Sequence, residues 1–198
     1  MREFWKRGVR AVKMDDIAGK LGISKRTLYE IYTNKEQLLY EGVALHEEEM
    51  SRHLEAFSAD ASHTVIDVVL EFYMMKIKRT KGMNPLFFEE LHKYPHVLEF
   101  FEQKHLKMRE RQNSFLRRGV QEGYFRADVD YDIISRLADN SLEYVMRSQM
   151  YREYKIDYLL HNVTLLYLRG ICTEKGVAAL DERMAQEDAG QDGAAAQE

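Results

Sequence analysis

Met14-Asp15-Asp16-Ile17-Ala18-Gly19-Lys20-Leu21-Gly22-Ile23-Ser24-Lys25-Arg26-Thr27-Leu28-Tyr29-Glu30-Ile31-Tyr32 is the stretch on which the fold turns. Two carboxylates, Asp15 and Asp16, open it, where they suit the positive end of a helix dipole. Ile17, Ala18 and Leu21 follow at helical spacing and predict one buried face. Ala18 is small and lets a second helix cross closely. Gly22 accepts the positive φ of a tight turn, and Ile23 plugs the corner. Ser24 is a good N-cap for a second short helix ending near Tyr32. Leu28 and Tyr32, four apart, make the inner face of that helix, with Ile31 beside them. Its outer face presents Lys25, Arg26 and Tyr29. Together these features describe a helix-turn-helix.

The outer face has the chemistry of a reading head. Long cations in the first turn of such a helix reach base edges in the major groove. Arg26 suits bidentate pairing with guanine, and Lys25 a looser version of it. Thr27 and Tyr29 carry hydroxyls suited to phosphate oxygens. Asn34 caps a third helix whose first turn holds Lys35, expected at a phosphate because its charge adds to free backbone N–H groups. Taken singly, Lys25 or Arg26 is an ordinary surface cation. The turn, the small residue, the plug and the polar outer face in combination carry the argument.

Charge agrees. Residues 1–40 hold nine Lys/Arg and five Asp/Glu, a net of +4 within a 198-residue chain of net charge -4. The remainder is therefore acidic, and one basic end on an acidic body suits a polyanion. A single cysteine, Cys172, excludes an internal disulfide or a cysteine metal cluster and fits a reducing cytoplasm. No apolar run approaches ~18 residues, so no membrane span is expected. The start, Met1 to Gly8, lacks the apolar stretch of a signal peptide.

Beyond Tyr32 the chain reads as helix throughout, with only two prolines, Pro85 and Pro95, to interrupt it. The helix that Asn34 caps runs past Glu49. Ser62 to Lys81 is apolar on most sides, as in the middle of a helical bundle. Asn84 to Tyr94 is a short helix stopped before Pro95, and His96 to Gln121 a long one ended by Gly123. Asp128 or Asp130 caps a helix over about 130–150, and another covers 156–172. The tail over 185–198 has no core formers and is expected to be disordered. The expected fold is all-α, with a head over 1–46, an effector-binding and dimerisation domain over 47–184, and the tail.

Val12 to Leu39, "VKMDDIAGKLGISKRTLYEIYTNKEQLL", resembles the DNA-binding signature of the TetR family. The matching positions are Ile17-Ala18, Leu21-Gly22-Ile23-Ser24, Thr27-Leu28-Tyr29, Tyr32 where Phe is usual, and Asn34-Lys35-Glu36 before Leu38. Tyr167 to Gly176 is similar to the way many members end their last helix. The resemblance implies a homeodomain-like three-helix head and a cytoplasmic homodimer on double-stranded DNA with a palindromic operator. It further implies a repressor released by a small-molecule effector, with no cofactor. The helices over 130–150 and 156–172 would pair with their mates as a four-helix bundle, Ala138, Ser141 and Gly170 allowing close approach. The sequence departs from the family twice. About one helical turn precedes Gly8 where members have several, and Lys13 stands where a Thr cap is common. The loss of that cap costs ~1 kcal/mol, and a lysine there reaches toward a phosphate instead.

For the effector, family analogy places a pocket among Phe72, Met75, Phe87, Phe88, Phe101 and Met108, soft apolar side chains that serve adaptable sites or simply fill a core. An enzyme reading competes. Glu89/His92 and Glu102/His105 are two E-x-x-H pairs, and with Glu71 and Glu143 they match the ligand count of a ferritin-like di-iron oxidoreductase. Such spacing arises easily by chance, and the bland reading is solvated helix faces. No nucleophile elbow, P-loop or dinucleotide fingerprint occurs, and Cys172 reads as a small buried hydrophobe. An enzyme is not expected.

Overall fold

The computed structural model describes residues 1–195, the side chains of 105–111 and 187–195 excepted. The described residues form ten α-helices. Three short ones make the head: α1 (Arg2–Arg7), α2 (Met14–Leu21) and α3 (Lys25–Ile31). A long helix, α4 (Lys35–Ala59), leads out of the head and runs unbroken across the expected boundary at 46/47. The body follows as α5 (Val65–Thr80), α6 (Pro85–Leu91), α7 (Pro95–Gln121), α8 (Tyr131–Arg147), α9 (Ile156–Ile171) and α10 (Glu174–Ala195).

The helix starts are written in the side chains. Ser24, Asn34, Thr64, Asn84 and Asp130 each accept a backbone N–H in the first turn of the helix they precede. Pro85 and Pro95 sit at helix starts, where a missing N–H costs nothing. Helix α5 is the central element, packed by α4, α7, α9 and α10. Its Val65, Ile66, Val69, Leu70 and Tyr73 are buried together with Leu116, Phe125, Leu165 and Leu180. Each fully buried aliphatic there contributes roughly 2 kcal/mol.

A second cluster joins head to body. Phe4, Val9, Val12, Leu39 and Val43 pack against Phe87, Leu91 and Val97, with Phe88 and Phe101 at its margin. Polar contacts reinforce the junction. The Asn84 N–H donates to the Trp5 carbonyl at 2.7 Å, and the Arg10 N–H to Glu90 Oε2 at 2.6 Å. Between them lies Gly8, buried at φ 78°, where a Cβ would stand 3.0 Å from Glu90 Oε2 and 3.2 Å from Leu86 Cβ. Only glycine combines that dihedral with that approach.

Helix α10 was not anticipated. It sends Leu180 into the α5 core and continues to Ala195, past the start of the stretch expected to be disordered.

Candidate nucleic-acid interface

The helix-turn-helix forms as its residues require. The Gly22 backbone is left-handed (φ 67°), and the Ile23 N–H donates to the Ala18 carbonyl at 3.1 Å, closing α2. Met14, Ala18 and Leu28 are buried, with Ile17, Ile23 and Tyr32 packed against them. Ser24 Oγ accepts from the Thr27 N–H at 3.0 Å and starts α3.

Leu21 and Ile31 differ from expectation. They are 62% and 56% exposed. Leu21 is the last residue of α2, so its side chain extends past the crossing with α3, and Met14 takes the inner position at the other end of the helix. Ile31 likewise ends α3 on its outer side.

The face expected to read DNA is accessible. Lys25, Arg26, Thr27 and Tyr29 are all exposed on α3. Lys25 Nζ lies 2.8 Å from Asp15, whose hydrogen bond and charge raise the lysine pKa. Arg26 Nε lies 2.9 Å from Glu30 one turn on. Exposed pairs of this kind are worth little, so either cation can exchange its carboxylate for another acceptor at small cost. The Thr27 hydroxyl lies 2.9 Å from that of Ser24 and so belongs partly to the cap. Lys13 is exposed at the N-cap of α2 without a side-chain cap bond, and Asp16 compensates by accepting the Lys13 N–H at 3.2 Å. That bond, and then Arg7, hold the Asp16 carboxyl below its ordinary pKa.

Lys35, expected at a phosphate, makes inward contacts that the sequence does not announce. Its ammonium donates to the carbonyls of Val9 at 2.9 Å and Val12 at 3.0 Å. Two of its three protons therefore face inward, tying the start of α4 to the loop between α1 and α2. Nothing local in sequence signals this, because the carbonyls arrive from 23 and 26 residues upstream.

Residues 1–41 match the profile of the family described as bacterial regulatory proteins, tetR family. Over those residues the head is similar to TetR-family DNA-binding domains. Solved structures extend the likeness to the whole TetR-type fold. A TetR transcriptional regulator from Legionella pneumophila aligns with TM-score 0.59 at 16% identity, covering 86% of this chain and 91% of that one. The ketosteroid transcriptional regulator KstR2 of Mycobacterium tuberculosis gives 0.57 at 20% identity, over 87% and 91%. The TetR family regulator PfmR from Thermus thermophilus gives 0.56 at 22% identity, over 85% and 93%. No curated protein matches the chain significantly in sequence. The chain has the fold of a TetR-family DNA-binding transcriptional regulator.

The di-iron alternative finds no support. Glu89 accepts the Tyr151 hydroxyl at 2.5 Å, Glu71 pairs with His53 at 2.6 Å, and His92 is exposed. The His105 side chain lies outside the described residues. Among those described, no three His, Cys, Asp or Glu are grouped to hold a metal. Burial pushes the Cys172 thiol up to about 11, so it is a core residue and not a ready nucleophile. No described helix is long and apolar enough to cross a membrane.

Of the six side chains expected at the pocket, Phe87, Phe88 and Phe101 belong to the cluster that joins head to body. Phe72 and Met75 are half-buried on α5, and the Met108 side chain lies outside the described residues. A cleft of about 380 Å³ between α4 and α7 is lined by Asn34, Glu36, Tyr40, His96 and Phe100 among others, and by none of those six.

The body holds one charged cluster that the sequence reading passed over. Glu47, on α4, is 7% exposed and accepts from Arg79 of α5 at 2.5 Å and from Lys104 of α7 at 2.6 Å. Burial alone would raise the Glu47 pKa, but the two cations outweigh it and hold the carboxyl below its ordinary value.

Proposed function

We propose that the protein is a homodimeric repressor that binds a palindromic operator and leaves it when a small effector occupies the body. The observation that carries the reading is the α3 face: a capped helix on a TetR-family head with Lys25, Arg26 and Tyr29 exposed. Base contacts fall to Arg26 and Lys25, and phosphate contacts to Tyr29, Thr27 and Lys13.

The outer surfaces of α8 and α9 support a dimer. Ile133, Leu137 and Tyr144 on α8, with Tyr158 and Leu166 on α9, are 49–70% exposed. Large apolar side chains spaced along two adjacent helices mark an association surface. Of the small residues expected to ease the approach, Ser141 bonds the Tyr167 hydroxyl at 2.7 Å and so packs α8 on α9 within one chain. Gly170 stays open, with nothing within 4 Å of a Cβ placed there.

Fluorescence anisotropy with the DNA upstream of the protein's own gene, at two salt concentrations and with random DNA as control, tests the reading. Salt-sensitive binding that prefers the upstream fragment supports it. A Lys25→Ala/Arg26→Ala double variant should remain a folded dimer and lose that preference. Retention of full operator affinity by the variant would remove α3 as the reading helix, and equal affinity for random DNA by the parent protein would count against a regulator of its own promoter.

A further inference from the structure

Lys76 stands on α5, one helical turn before Arg79, with its ammonium 4.7 Å from the centroid of the Phe72 ring. It forms no ion pair with a described residue. The charged groups acting on it are Arg79, Glu47, Asp139 and Lys104, two of them cations. Glu47 is already shared between Arg79 and Lys104. Glu47 thus has two cations bound and a third nearby, with Asp139 on α8 the other carboxylate that acts on Lys76. Burial comes first and the neighbouring Arg79 second in pushing the Lys76 pKa down. A lysine held against an aromatic ring without a partner is costly unless a charge arrives to meet it. Apolar groups stand among these charges: the Phe72 ring against Lys76, and Met50 Sδ at 3.6 Å from Arg79.

We propose that the body takes an amphipathic anion, a carboxylate or phosphate head on an apolar tail, whose head meets Lys76 and competes with Glu47 for Arg79 and Lys104. The proposal rests on the effector-controlled reading above and gives that effector its chemical class. Glu47 is the only acceptor that ties α4 to both Arg79 and Lys104 among the described residues. An anion that draws either cation away loosens this polar tie while the apolar packing of Leu39 and Val43 remains, and α4 carries the DNA-binding head at its start. Effector binding and the position of α4 are thereby linked through one exchange of anions at one pair of cations.

The experiment is isothermal titration calorimetry on the DNA-free protein, with dodecanoate, dodecyl phosphate, dodecanol and dodecyltrimethylammonium below their micelle concentrations. Either anion should bind about tenfold or more tightly than the alcohol, the scale of one charge-assisted hydrogen bond. Lys76→Met should reduce that preference to about threefold or less, and Lys76→Arg should keep it. Thermal melts of both variants report folding independently, and the methionine should not destabilise, because it removes a half-buried charge that has no ion pair among the described residues. Equal affinity for alcohol and anion, or an anion preference that survives Lys76→Met, would overturn the proposal. Operator binding by Lys76→Met without ligand should equal that of the parent protein. A protein that binds no operator at all but still prefers the anions would refute the regulator reading and leave the anion site standing.

Discussion

Replacing Lys35 by methionine separates two roles that a surface lysine near DNA can have. The geometry makes Lys35 a brace: two charge-assisted donations, at 2.9 and 3.0 Å, to carbonyls of Val9 and Val12, residues that are themselves fully buried. Methionine keeps the aliphatic length and removes both donors. A hydrogen bond from a charged group contributes about 1.5–3 kcal/mol. The site is half-buried, so water reaches part of what the ammonium leaves, and the two bonds together are worth about 2 kcal/mol and not twice the upper figure. For a chain of this size that is about 4–8 °C in Tm. Differential scanning calorimetry without DNA reads it directly. A phosphate contact predicts the opposite pattern: unchanged Tm, with the slope of log affinity against log salt falling by about one. A Lys35→Met protein that melts with the parent and shows the reduced slope would refute the brace.

Other perturbations probe separate parts of the molecule. Gly8→Ala puts a Cβ 3.0 Å from Glu90 at positive φ, and should cost about 1–3 kcal/mol in chemical denaturation; no loss would mean the junction with α6 yields easily. Leu166→Asp, at a side chain 70% exposed in the single chain, should leave the melting of the fold intact and weaken the dimer at least about tenfold in sedimentation equilibrium; an unchanged dimer would move the interface elsewhere. Glu47→Gln should destabilise at neutral pH. Its carboxyl is held below the ordinary 4.5 in the folded state, so the stability it contributes is present above that value and fades as pH falls through the lower folded value. Denaturation curves of parent and variant should converge in that acid range, and a gap independent of pH would assign the loss to packing.

The head was legible because its signals are local. A cap, a left-handed glycine, a small crossing residue and a buried leucine all lie within the short stretch from Met14 to Tyr32, and each has one physical use. Leu21 misled because helical spacing says which side a residue faces but not whether the partner helix reaches that far. The inward bonds of Lys35 were hidden for a related reason: its acceptors come from a loop that folds back, and no spacing rule finds a carbonyl 23 residues away. Phe87, Phe88 and Phe101 looked like pocket material because aromatic composition does not distinguish a cavity wall from a seam between two units. Lys76 did leave a trace, as a basic residue inside an otherwise apolar run, but its meaning needed Glu47, Arg79 and Lys104, two of them from other stretches of chain. Helix α10 hides behind an alanine- and acid-rich composition, with Leu180 its one fully buried anchor among the described residues.

Helix α4 is also a rod with a measurable arm. From Glu47 back to its cap at Asn34 it spans roughly 20 Å at the α-helical rise. A swing of about 10° around the Glu47 end displaces the cap by about 3.5 Å, nearly the ~3.4 Å that separates successive base pairs. In a two-fold dimer both heads move at once, so the separation between the two reading helices changes by up to twice that amount. The DNA keeps a fixed helical repeat, and a mismatch of one or two base-pair steps puts the second head out of phase with its groove. In the dimer proposed above, a small angular change deep in the body would thereby become a ruler of the wrong length.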